Sequence, residues 1–186
     1  EALAGKRVSP RYILQSSYQT DGGDEVPDDF PDFFKLNKQS DARKLVNFYE
    51  QQGAAQIKVH AKISAEKYRN LAVELLNSKL DLVGHKPVSV PLEQALKYKQ
   101  KSLEHARIFL FACYQEIEVF QNLENPVKSF DANFMRKMIN QQDSEKCAGL
   151  MDKMAKSNSW WVPTLSTLRS AALANNIEAQ NDVIFN

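Results

Sequence analysis

The stretch from Gly53 to His105 constrains this chain most, because short apolar runs alternate in it with segments of helical periodicity. Residues 55–60 read as a strand. Ser64 then reads as a helix cap, with Tyr68, Leu71, Ala72, Leu75 and Leu76 on one face. Residues 80–84 form a second short apolar run. A brief helix starts near Pro91 and carries Leu92, Ala95 and Leu96, and residues 101–105 read as a third strand. Strands that alternate with helices across short loops lie parallel and are joined by crossovers. The expected class is therefore α/β.

The flanks extend the pattern. Residues 11–16 read as an earlier strand, followed by a polar, acidic loop over residues 21–32. Loops of that length in a compact domain often carry function. Ser40 is the expected cap of a helix that presents Ala42, Leu45, Val46, Phe48 and Tyr49 and stops at Gly53. Downstream, helices are expected at about 106–121, 132–142 and 144–157. A strand at 160–164 leads into a last helix from about Ser166. The two cysteines, Cys113 and Cys147, fall in expected helices without metal-finger spacing and read as buried thiols.

Within the first central strand lies a lysine, Lys58, where an unpaired ammonium on the core side is costly. His85 and His105 each close a later strand. In parallel α/β proteins chemistry gathers at the carboxyl ends of the strands. Strand alternation puts Lys58 and His60 on one face and Val59 on the other. One histidine at a strand end is most often structural, and one lysine can extend to solvent. Three such residues on three successive strands point to a shared metal-binding rim.

Bulk properties narrow the partners. The 186 residues suit one domain, with a 43% hydrophobic share that can supply a core. A net charge of +1, with 25% charged residues of both signs, lacks the basic footprint of a nucleic-acid binder. No apolar run reaches the roughly 20 residues that cross a bilayer. The chain is expected to be soluble, either cytoplasmic or exported if its parent carries a signal peptide.

Several ordered segments carry a family resemblance: Gly53 to His60 with Ser64, Val83-Gly84-His85-Lys86-Pro87, Ser89 to Ala95, and Ser102-Leu103-Glu104-His105. Trp161-Val162-Pro163-Thr164-Leu165 matches a late strand, and residues 5–22 match an early one more weakly. Together they resemble the metal-dependent amidohydrolase superfamily, in its imidazolonepropionase-like and prolidase-like branch. The resemblance implies a (β/α)8 TIM barrel, of which residues 1–186 form a single partial domain truncated at both ends, roughly strands three to seven.

It further implies that Lys58 is carboxylated and bridges two divalent metals, usually zinc, while His85 and His105 bind the second metal. A metal-held hydroxide would then cleave C–N bonds of amides, dipeptides or cyclic amides. His60 stands where tyrosine is common and is a candidate substrate contact.

The family's first-strand HxH pair and its strand-end catalytic aspartate are both missing. No catalytic residue is therefore assigned within this chain, and the isolated fragment is expected to be inactive. With strands missing, metal sites would be partial or empty, and exposed barrel edges favour a homodimer. A second reading is a non-catalytic binding or interaction module on a barrel-derived scaffold. A third, a helical interaction domain beyond residue 106, competes with ordinary barrel-covering helices. Of Trp160 and Trp161, adjacent on a strand, only one can face a given pocket.

Overall fold

The computed structural model describes residues 26–122 and 131–176, together with Gly5, Lys6, Val8 and Ser16. The strand expected at 11–16 lies outside the described residues apart from Ser16, and so do residues 21–25 of the acidic loop. A 3-10 turn, Asp32–Lys35, leads into α1 (Gln39–Gln51). Then follow β1 (Gln56–Val59), α2 (Ala65–Leu75), β2 (Asp81–Gly84), α3 (Leu92–Lys97) and β3 (Ser102–Glu104). The remainder runs α4 (Arg107–Ala112), α5 (Ile117–Gln121), α6 (Ala132–Asn140), α7 (Ser144–Ala155), β4 (Trp160–Val162) and α8 (Leu165–Ala172).

Local sequence accounts for most of these boundaries. Ser64 caps α2 by accepting the Lys67 N–H. Gly53 follows α1 at φ +73°, a conformation glycine adopts without a Cβ penalty. The start of α1 departs from expectation. It begins at Gln39, one residue before Ser40, because the Asp41 carboxylate accepts the Lys38 N–H and draws the first turn back. The buried faces are those the periodicity marks: Ala42, Leu45, Val46 and Tyr49 on α1, and Tyr68, Leu71, Ala72 and Leu75 on α2.

All strand pairings among the described residues are parallel. Residue 57 of β1 pairs with Leu82 of β2, and Leu103 of β3 pairs with Trp161 of β4. β2 and β3 are joined by a single bridge between His85 and Glu104 and by the Lys101 N–H to the Leu82 carbonyl, at 2.7 Å. The strands thus lie side by side in chain order. This is a mixed α/β arrangement of short parallel strands and helices, and no closed barrel is formed among the described residues. Ile57, Val59, Leu82 and Leu103 join the helix faces in one core.

The sparse β2–β3 seam is closed by a side chain. Gln100 is fully buried, and its amide nitrogen lies 2.9–3.1 Å from the carbonyls of Gly84, His85 and Ser102. Its oxygen accepts the Tyr68 hydroxyl at 2.8 Å. The amide takes over the role of a ladder at the point where the backbones diverge. Removing it would leave buried polar groups unpaired, at about 1–3 kcal/mol.

Two expectations need correction. The single helix expected at 106–121 is broken at Cys113, giving α4 and α5. Backbone groups there are claimed from elsewhere: the Asp143 N–H donates to the Cys113 carbonyl, and the Gln115 N–H to the Gln141 carbonyl. The cysteines are not thiols. Cys113 and Cys147 form a disulfide that ties the end of α4 to α7. No helix among the described residues is long and apolar enough to cross a membrane.

Candidate metal centre

At the carboxyl ends of β1, β2 and β3 the polar side chains converge. β1 alternates in burial, with Ile57 and Val59 turned into the core and Lys58 half-buried on the other face. From β1 the lysine reaches across β2 to β3, where its Nζ lies 2.8 Å from Oε2 of Glu104. The crossing depends on Gly84 in between. A Cβ on Gly84 would stand 2.8 Å from Cγ of Lys58 and 2.6 Å from the Val59 carbonyl oxygen. Gly84 also holds φ +106°, which L side chains rarely adopt.

Three imidazoles line the same mouth. Ring centroids are 4.8 Å apart for His60 and His85, and 4.4 Å for His85 and His105. His85 follows β2, and its Nδ1 is buried without a hydrogen-bond partner among the described residues. Burial holds the His85 pKa down to about 4, and the neighbouring His105 and His60 push in the same direction. The ring is therefore neutral at pH 7, the form that binds metals.

His105 lies just past β3 in the left-handed region, at φ +74°. For a residue with a Cβ this costs of order 1 kcal/mol or more, and such conformations concentrate at functional sites. Two groups from the β4 segment hold it there. Thr164 Oγ1 lies 3.1 Å from His105 Nδ1, and the Trp161 indole N–H donates to the His105 carbonyl at 2.9 Å. Fixing one ring nitrogen leaves the other to face a ligand. Trp161 also packs edge-on against Phe109, so it supports the site from behind.

The ligand atoms of His85, Glu104 and His105 all lie within 4.8 Å of one another. Two imidazoles and a carboxylate suit zinc and its neighbours, and the orphaned His85 nitrogen is what a bound cation would satisfy. Beside them opens a cavity of about 250 Å³. Val88, Ile108, Phe111 and Phe120 form its apolar wall, with the exposed Lys62 and Arg107 also lining it.

Lys58, His60, His85 and His105, the residues singled out in the sequence, thus stand in one neighbourhood. The sequence pattern alone assigns no role to Glu104, Gly84 or Thr164. Glu104 carries a signal: a cation half-buried in an apolar strand demands a counter-charge, even on the face turned away from the core. The chain matches no protein-family model, and no curated protein or solved structure is significantly similar to it.

Proposed function

We propose that this chain is part of a metal-dependent hydrolase of C–N bonds, built on a partial (β/α)8 barrel of the amidohydrolase type. The observation that carries the reading is the gathering of Lys58, Glu104 and three histidines at the carboxyl ends of successive parallel strands. Chemistry in parallel α/β folds collects at that end. His85 and His105 are the proposed metal ligands, with Lys58 at the position that the resemblance gives to a bridging group. A bound divalent metal, zinc by donor type, would polarise a carbonyl and lower the pKa of a water molecule.

The chain's own residues supply the rest. His85 is kept neutral by burial, and Thr164 and Trp161 keep His105 in place. His60, on the cavity wall beside His85, is the proposed substrate contact. The apolar wall suits the side chain of a dipeptide or the ring of a cyclic amide. Exposed apolar residues on β4 and α8 support a homodimer formed through that edge.

The test is hydrolysis of a panel of dipeptides and cyclic amides by zinc-loaded protein, using this chain alone and with its native flanking coding sequence. The extended protein is expected to be active, to lose at least about a hundredfold with His85→Ala, and to outperform the isolated chain. An extended, zinc-loaded protein inert toward the whole panel overturns the proposal.

A further inference from the structure

We propose that His85, Glu104 and His105 hold a single divalent metal, and that Lys58 remains an uncarboxylated cation that orients Glu104. The inference rests on the metal-hydrolase reading and deepens it. The resemblance makes Lys58 a carbamate ligand, whereas the geometry gives the oxygen-donor role to Glu104 for the first metal bound.

Charge and distance carry the argument. Lys58 Nζ sits 2.8 Å from Glu104 Oε2, with both side chains about one-fifth exposed. A carbamate on Lys58 would set a second anion against that carboxylate in a partly desolvated site, where like charges in contact are strongly unfavourable. The ammonium instead satisfies Glu104. Carboxylates that bind metals are themselves commonly fixed by a hydrogen bond from behind, and Lys58 supplies one.

The backbone is arranged for the pairing. Gly84 leaves the lane across β2 along which the Lys58 stem runs, and any side chain there would collide with it. The bridge between His85 and Glu104 sets those two residues side by side on adjacent strands. His105 follows Glu104 directly, and its left-handed turn redirects the chain just where its ring must meet that of His85. The three ligand atoms are already within 4.8 Å, so little rearrangement is needed to close on one ion. The buried, unpartnered His85 Nδ1 marks the same centre.

Zinc titration of the whole chain, read by calorimetry in carbon-dioxide-free and in bicarbonate-containing buffer, tests the assignment. One zinc per chain is expected, with affinities in the two buffers agreeing within about twofold. Lys58→Arg keeps the cation but cannot be carboxylated, and should bind within about threefold of the parent. Glu104→Gln should weaken binding by at least about tenfold, the scale on which changes around a metal-bound imidazole act.

A complementary readout on the unaltered chain, independent of whether variants fold, is carbon-13 NMR with labelled bicarbonate and zinc. No carbamate resonance is expected. Appearance of that resonance, binding that requires bicarbonate, loss of binding in a folded Lys58→Arg, or no zinc binding by the parent chain would each overturn the proposal. Zinc binding as expected, without hydrolysis by the extended protein, would sink the hydrolase reading and leave this site standing.

Discussion

The two margins of the sheet are finished differently. Along β1, Ile57 and Val59 are fully buried, and Ser16 covers the outer edge by donating its N–H to Gln56 and accepting the Lys58 N–H. Along β4 every residue is exposed, Trp160 by 68%, and α8 buries none of its residues. The candidate metal centre straddles this divide. His85 is anchored from the finished side through Gln100 and the β1–β2 ladder. His105 is held by Thr164 and Trp161, which come from the unfinished side. One ligand is thus rigid by burial, and the other by a few polar contacts on an exposed strand. Ligand geometry should therefore be more fragile at His105 than at His85.

A covalent link behind the exposed margin gives the largest expected effect. The disulfide joins α4, just behind His105, to α7, which leads into β4, across a separation of 34 residues. Reduction, or replacement of both cysteines by alanine, should cost about 3–4 kcal/mol on chain-entropy grounds. Urea unfolding with and without reductant measures it, and an unchanged midpoint would show that the two regions are held together without the bond.

Within the finished margin, Gly84→Ala should cost about 2–3 kcal/mol, since the new methyl meets backbone oxygen and the Lys58 stem at a positive φ. It should also loosen the Lys58–Glu104 pair, visible as a lower zinc affinity. A stability equal to the parent would mean that β1 and β2 can separate freely.

Acidification sharpens the contrast further. The folded His85 pKa of about 4 lies below the ordinary value of 6.5, so the unfolded chain binds more protons between those limits. Chelator-treated protein should keep the His85 contribution to stability in full above about pH 6.5 and lose that contribution as pH falls toward 4. His85→Asn should flatten that slope, as thermal melts across the range would reveal. The smallest effect belongs to the exposed margin. Trp160→Ser should change the stability of the dilute monomer by no more than about 0.5 kcal/mol, and a loss that grows with protein concentration is the sign of the proposed dimer edge.

Much of the central fold was legible from residues 53–105. Ser64 and Gly53 are local signals whose partners lie within one turn, and the apolar spacing of α1 and α2 marks their buried faces. Lys58 was conspicuous because a cation in an apolar strand is physically odd. The same oddity requires a counter-charge, and Glu104 beside His105 supplies it. Other features have no local signature. The Cys113–Cys147 bond depends on where α4 and α7 meet, and nothing near either cysteine encodes that. The break after Cys113 arises from hydrogen bonds to residues 141 and 143, about 30 positions away. Left-handed conformations at His105 and Thr164 fall on residues that do not favour them, and the groups that hold His105 come from Thr164 and Trp161, 59 and 56 positions away.

The bond from the Trp161 indole to the His105 carbonyl makes that tryptophan a built-in optical probe. Its emission responds to the polarity and hydrogen bonding of a ring tied to the backbone of a proposed ligand. The other tryptophan, Trp160, is the more exposed and contributes a nearly constant background. A protein carrying only Trp161 would turn cation uptake at the strand ends into a fluorescence signal, with no label attached.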